Sequence, residues 1–365
     1  MKRLWQTLLL ILPLSLNAFH YGSNDRESTG KIAEESSNVI TPDAGPSVKG
    51  GINVFFTADF LYWSARMDGL VFATSGLGNN RSTVNKGHAH FPNWNWKPGF
   101  KVGIGHNLPH DGWDVFIEYT YIRNNAFRSV QGETLDPNWD VSDLTSFIPA
   151  DRIPGVISYA RGSWDLKFNV FDLELGRNYF VSQYLSVRPF SGFKFTWQDI
   201  NYHVRYRTLL TDQIPESYLR MRNDVDFWGI GLRSGLDLTW HVDTIFSVYG
   251  NLALTALWAQ YEILRRDTRT DFASPNPNPT PQLGTDLITY NAAKDFHSIK
   301  GVLELSIGLR GEWWFADERY HFLIQAGWEE QLWINHNQFI KLHFVESAHG
   351  DMVLQGFVLK ARFDF

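Results

Sequence analysis

Charged side chains sit at every second position through long stretches of this chain, alternating with apolar ones. The basic members are Lys97, Lys101, Lys194, Arg233, Lys300, Arg310, Lys360 and Arg362. The acidic members are Asp59, Asp114, Glu118, Asp172, Glu174, Asp237, Glu304, Glu312, Glu329 and Asp364. An extended strand points successive side chains to opposite faces, so this spacing collects charge on one face and hydrocarbon on the other. Gathered round a lumen, Lys97, Lys101, Glu118, Lys194, Arg233, Asp237, Glu304, Arg310, Glu329, Lys360 and Arg362 are the candidates to line an aqueous path and tune ion passage. The alternative for the same residues is a network of ion pairs that fills a narrow barrel and conducts poorly. The two signs nearly balance, which argues against strong anion or cation selectivity.

Catalytic chemistry has weaker support. Some membrane barrels are hydrolases with His, Asp or Ser at the outer rim; the candidates here are His88, His90, His203, His336 and His343. None lies in a motif that pairs it with a nucleophile or base. His88 and His90 have no third ligand at a convincing spacing for a metal. The chain is expected not to be an enzyme, and no catalytic, metal or cofactor site is assigned.

The elements that must position these charges are strands. Between Phe227 and Trp240, Trp228, Ile230, Leu232, Leu236, Leu238 and Trp240 share one face, opposite Gly229, Gly231, Arg233, Gly235, Asp237 and Thr239. About a dozen alternating residues with a tryptophan at each end suit a tilted strand crossing a bilayer between two aromatic girdles. Similar stretches place strands near 52–65, 94–106, 113–123, 164–180, 185–207, 225–240, 245–262, 299–315, 320–334 and 351–365. In 164–180 the apolar register slips near Phe171, which suggests a bulge. Tyr202, Arg205, Tyr206 and Arg207 read as a strand continuing beyond the membrane, where they are either solvated or meet a partner or lipopolysaccharide.

The gaps alternate in length. Asn107–Gly112, Val181–Tyr184, His241–Thr244 and Ala316–Arg319 are tight, whereas 66–93, 124–163, 208–224, 263–298 and 335–350 are long. Short periplasmic turns and long extracellular loops have this arrangement. The loop 124–163 has the length to fold inward and narrow the path. Pro275, Pro277, Pro279 and Pro281 favour an extended surface segment.

Composition agrees with this reading. Aromatics make up 15% of residues, yet the mean hydropathy is −0.26, which does not fit a bundle of membrane helices. The one long apolar run, Leu4 to Leu16, follows Lys2 and Arg3 and precedes Asn17-Ala18, so residues 1–18 read as a signal peptide. Residues 19–50 are polar and aperiodic and read as a disordered periplasmic segment. Residues 51–365 are the expected barrel. The formal net charge of −6, made more negative by loss of Lys2 and Arg3, excludes nucleic acid as a natural partner.

The last strand alternates Phe357, Leu359, Ala361, Phe363 and Phe365 with Lys360, Arg362 and Asp364. It resembles the terminal strand that the barrel-assembly machinery of Gram-negative bacteria recognises, with Phe357, Phe363 and Phe365 as the assembly signal. The stretch Asp59-Phe-Leu-Tyr-Trp63, leading to Asp68-Gly69-Leu70, resembles the opening strand of the Legionella major outer membrane protein family, expanded as MOMP-like porins in environmental chlamydiae. Trp96-Lys-Pro-Gly-Phe-Lys-Val-Gly103, and Asp111-Gly-Trp-Asp114 followed by Glu118-Tyr-Thr120, are further matches. The resemblance implies a pore-forming or structural outer-membrane protein. The chain has no cysteine, so it differs from the cysteine-rich chlamydial porins.

The expected fold is thus all-β: a single antiparallel transmembrane barrel of about ten strands, within roughly eight to fourteen. Its expected place is the outer membrane. Its expected role is passive diffusion of small solutes, structural support of the envelope, or both. A non-conducting barrel whose loops bind a host or matrix partner is the runner-up, and a membrane hydrolase comes third. The expected partners are outer-membrane lipid, lipopolysaccharide and the assembly machinery, with homo-oligomerisation left open.

Overall fold

The computed structural model describes residues 42–76, 87–109, 111–139, 157–209, 216–273, 283–341 and 348–365. The signal peptide, most of the polar N-terminal segment, His343 and the proline-rich stretch lie outside the described residues. Ten long antiparallel strands close on themselves. They are β1 (Val54–Met67), β4 (Trp96–Asn107), β5 (Trp113–Pro137), β6 (Ile157–Arg177), β8 (Leu185–Thr208), β9 (Glu216–His241), β10 (Phe246–Ala273), β11 (Asp286–Phe315), β12 (Tyr320–Trp333) and β13 (Met352–Asp364). Each pairs with the next in this order, and β1 pairs with β13 to seal the ring. Short strands β2 (Ala73–Ser75) and β3 (His88–His90) add to the far end of β5, and β7 (Tyr179–Ser182) forms a hairpin with β8. No helix occurs among the described residues.

The four tight connections all lie at one end, where Val54 also meets Phe365 through mutual backbone hydrogen bonds of 3.2 and 3.1 Å. This is the turn end; the opposite, loop end carries the long connections. Residues 42–50 cross the turn end, with Phe180 N donating to Pro42 O (2.8 Å), Lys49 N to Glu318 O (2.9 Å), and Val48 buried.

The strands that continue past the belt read differently on either side of one line. On β6 near the turn end, Phe171, Leu173 and Leu175 face outward and Asp172 and Glu174 inward. Further along, Arg161, Ser163, Asp165, Lys167 and Asn169 take the outer face, while Ala160, Trp164, Leu166, Phe168 and Val170 are buried inside. The pairing of β6 with β5 and β8 runs through Phe171 without a shift. The slip in the apolar pattern is therefore not a bulge but an inversion of polarity on an unbroken strand. The same inversion follows Tyr121 on β5, Trp197 on β8, Trp228 on β9 and Trp258 on β10. On the turn side the barrel is apolar outside and charged within; on the loop side it is polar outside and apolar within.

The inversion marks where lipid stops. Trp228 and Trp240 bracket the outer apolar belt on β9, about 30 Å apart for a strand tilted by about 40°, the thickness of a bilayer's hydrocarbon core. Aromatic rings border the belt at both edges: Tyr62–Trp96 and Trp228–Trp258 toward the loop end, and Tyr320–Phe363 and Phe56–Phe365 toward the turn end. Beyond the belt the strands continue, and this corrects three of the expected long loops. Most of 124–163 and 263–298 and part of 208–224 are strand, because above the belt the outer face is polar and resembles a loop in sequence.

Candidate functional site

Within the belt the lumen is a paired charge network around a cavity of about 380 Å³. Lys101 donates to both oxygens of Glu329 at 2.9 Å and lies 3.6 Å from Glu118. Lys360 reaches Glu118 at 3.1 Å and Asp59 at 3.5 Å. Across the cavity Lys194, only 1% exposed, sits between Asp172 (2.7 Å) and Glu304 (2.8 Å). Arg233 pairs with Glu174 and with Glu304 (2.7 Å), and stacks over Phe190. Arg188 joins Asp114 (2.6 Å), Glu174 (2.8 Å) and Asp237 (2.9 Å). Nearer the turn end, Arg310 lies beside Glu312, and Asp364 accepts from Arg362 and pairs with His321. An isolated charge in such a site is costly, whereas each carboxylate here has a basic partner within 4 Å, on another strand or, for Glu312, on its own.

Above this tier the lumen is filled. Trp63, Trp164, Phe168, Tyr202, Phe227, Tyr261 and Trp333 project inward and are buried. Two chain segments insert among them. The first runs from Asp68 to Ser75: Tyr202 Oη donates to Leu70 O (2.9 Å) and Tyr206 Oη to Phe72 O (2.5 Å), with Leu70 and Phe72 buried. The second includes residues 335–341 and 348–351. Asn223 of β9 donates to Ile340 O (3.1 Å) and accepts from Ile340 N (3.2 Å). Arg265 of β10 donates to the carbonyls of Ile340 and Lys341, and Lys300 to that of Asn335. His336 bonds Gln198 (2.9 Å) and Tyr261 (3.0 Å), and Phe339 and Ile340 are buried. Burial and the charge of Lys300 push the His336 imidazole down to about 3.

The turn Asp68-Gly69-Leu70 joins the two insertions. Asp68 O accepts from Asn337 Nδ2 (2.8 Å), and Asp68 N donates to Asp351 O (2.9 Å). Gly69 has a φ of +84°, and a Cβ there would lie 2.8 Å from His349 O. Glycine meets both demands at no steric cost.

Ten of the eleven sequence-derived lumen residues enter this charge network or its rim. Lys97 shares the inner face, opposite Trp63, and has no ion pair among the described residues. Phe357, Phe363 and Phe365 are on the outer face or at its turn-end edge, with Phe363 and Phe365 5.9 Å apart. Arg188, a hub of three carboxylates, was missed. Its even-numbered parity with Lys194 was the available signal, and Pro189 beside it blurred the alternation. Of the segment 124–163, which has the length to fold inward, Trp139 does so, donating to Val71 O (3.0 Å), while residues 140–156 lie outside the described residues.

The histidines are dispersed. His90 contacts Ser75 Oγ (2.8 Å) but its Nδ1 has no partner; His203 is exposed beside Asp224 (3.2 Å); His88 is exposed; His336 is enclosed in the lumen. Among the described residues no histidine is hydrogen-bonded to both a hydroxyl and a carboxylate, and no group of three or more His, Asp or Glu is placed to hold a metal.

No curated protein matches the chain. Among solved structures it is similar to the outer membrane protease OmpT from Escherichia coli, at 9% identity and a TM-score of 0.40, covering 88% of this chain and 99% of that one. It is also similar to a Pseudomonas aeruginosa FadL homologue, at 10% identity and a TM-score of 0.30, covering 90% and 98%. A third similarity is to Ail, the attachment invasion locus protein of Yersinia pestis, at 11% identity and a TM-score of 0.21, covering 58% and 97%. The model of one family, described as the Legionella pneumophila major outer membrane protein precursor, matches residues 49–365. With that match spanning the whole barrel, the chain belongs to the Legionella major outer membrane protein family and is a β-barrel of the outer membrane.

Proposed function

We propose that this protein is a plugged outer-membrane barrel, a structural element of the envelope at rest. It passes small solutes only when the segment after β12 leaves the lumen. The observation that carries this is the pinning of residues 335–341 inside the barrel by Asn223, Arg265 and Gln198, above a charge tier whose members are satisfied by one another. Ten strands enclose a lumen that side chains alone can nearly fill, and here aromatic side chains and two inserted segments occupy its outer half. The cavity below is polar and lies toward the turn end, which the reading places on the periplasmic side.

Planar-bilayer recording on the refolded full barrel tests this, beside a variant with residues 336–349 replaced by a short glycine linker. The wild type is expected to remain closed for most of the record and the variant to give stable, weakly selective steps. Stable steps from the wild type, unchanged in the variant, would overturn the plug and favour an open diffusion pore. Silence from both, with each migrating as a heat-modifiable barrel, would make the lumen purely structural.

A further inference from the structure

Above the lipid belt the outer wall of β6, β8, β9 and β10 carries arginines in register. Arg161 stands directly opposite Arg205, and Arg205 opposite Arg220. Two residues nearer the belt, His203 faces Arg222, and Arg222 faces Arg266. Like charges directly opposed across strands destabilise a sheet. Arg220 is offset by Asp286 (3.0 Å) and His203 by Asp224 (3.2 Å). Arg161, Arg205, Arg222 and Arg266 are exposed and form no ion pair within 4 Å among the described residues, although Arg222 lies near enough to Asp286 to act on it. A wall that repels itself in this way is matched by an anion with several charges.

Height selects which anion. Arg222 and Arg220 lie six and eight residues beyond Trp228 on β9, about 15–20 Å above the aromatic border for a tilted strand. Between them and the border runs a row of carboxylates on β8–β11: Asp199, paired at 2.9 Å with Lys167 of β6, stands opposite Asp226, Asp226 opposite Glu262, and Glu262 opposite Asp295. A phospholipid phosphate sits at the bilayer surface, where this row repels it and the arginines are out of reach. A lipid whose charged head extends well above the bilayer reaches the arginines.

We propose that the outer wall of β6–β10 is a docking face for the phosphorylated sugar core of the outer-leaflet glycolipid, lipopolysaccharide. Guanidinium groups from four strands grip phosphates or sugar carboxylates there through bidentate, charge-assisted bonds. The lipid chains of the same molecule lie against the aromatic and leucine belt below.

The test uses the refolded full chain in detergent and reads the temperature at which its heat-modifiable band converts. The probes are lipopolysaccharide with a phosphorylated core, the same material dephosphorylated, lipid A alone, and phosphatidylglycerol. The wild type is expected to be stabilised by the first well beyond the other three. The variant Arg161→Gln/Arg205→Gln/Arg222→Gln/Arg266→Gln is expected to bind it about tenfold more weakly or worse. Equal stabilisation of wild type and variant would overturn the proposal, as would an equal wild-type response to lipid A or phosphatidylglycerol. Should the fourfold variant not refold, Arg161→Gln/Arg205→Gln carries the comparison, with the same loss expected and the same result overturning it. Neutralising the barrier with Asp226→Asn/Glu262→Gln is expected to raise the response to phosphatidylglycerol alone; no such rise would remove the height argument.

Discussion

At the scale of single residues, the same charge has different consequences by position. Lys194 is enclosed by Asp172 and Glu304, and Lys194→Met leaves two carboxylates facing one another with one cation fewer. The expected cost is about 3–5 kcal/mol in urea unfolding from lipid vesicles. Lys97→Met removes a charge with no carboxylate partner among the described residues and should cost under about 0.5 kcal/mol; equal losses would show that the pairs do not carry the stability. His336 gives a pH dependence. Unfolded, its imidazole titrates near 6.5; folded, burial holds it to about 3. Between those values the unfolded chain binds a proton that the folded one does not. The inserted segment is therefore fully stable above about pH 6.5 and loses up to about 1.4 kcal/mol per unit as the pH falls toward 3. Hydrogen exchange at residues 335–341 reads this directly, and His336→Gln should flatten the response; an unflattened response would assign the titration elsewhere.

At the scale of the strand, the inversion predicts opposite tolerances along one element. Leu175→Arg, in the ladder through Ser191 and Ser234 midway between Trp228 and Trp240, places a cation in the middle of the belt and should cost about 2–4 kcal/mol in the same assay. Lys167→Leu, beyond the border, gives up an exposed pair with Asp199 and should cost under about 1 kcal/mol. Similar costs at both positions would mean that the border is misplaced. The inversion also explains what the sequence could and could not reveal. Period-two alternation made the belt half of each strand and all four tight turns legible, because there apolar and charged residues differ sharply. Above the border Asp165, Lys167 and Asn169 alternate with Leu166 and Phe168 just as regularly, but with the phase reversed. That reversal reads as a slip and then as a loop. The inserted segments left less to read. Phe339-Ile340 and Leu70-Val71-Phe72 are short apolar runs without period, and only closure of the ring brings Asn223 and Arg265 within reach of them.

At the scale of the whole molecule, two barrels of opposite character are stacked on one set of strands. The lower half is held by ion pairs across a polar cavity and by lipid outside; the upper half is held by an apolar core, as a soluble barrel is. In the plugged barrel proposed above, passage through the lumen would have to breach the upper half at the segment after β12. The upper half also constrains how the protein can reach the cell surface. Its outer wall bears Arg161, Arg205, Arg207, Arg220, Arg222 and Arg266, and each arginine drawn through the middle of hydrocarbon costs about 2–4 kcal/mol. Strands threaded lengthwise through lipid would meet that barrier many times over. The cost of those arginines in hydrocarbon therefore favours a route for the upper half that lipid does not line, whereas the apolar belt meets no such barrier.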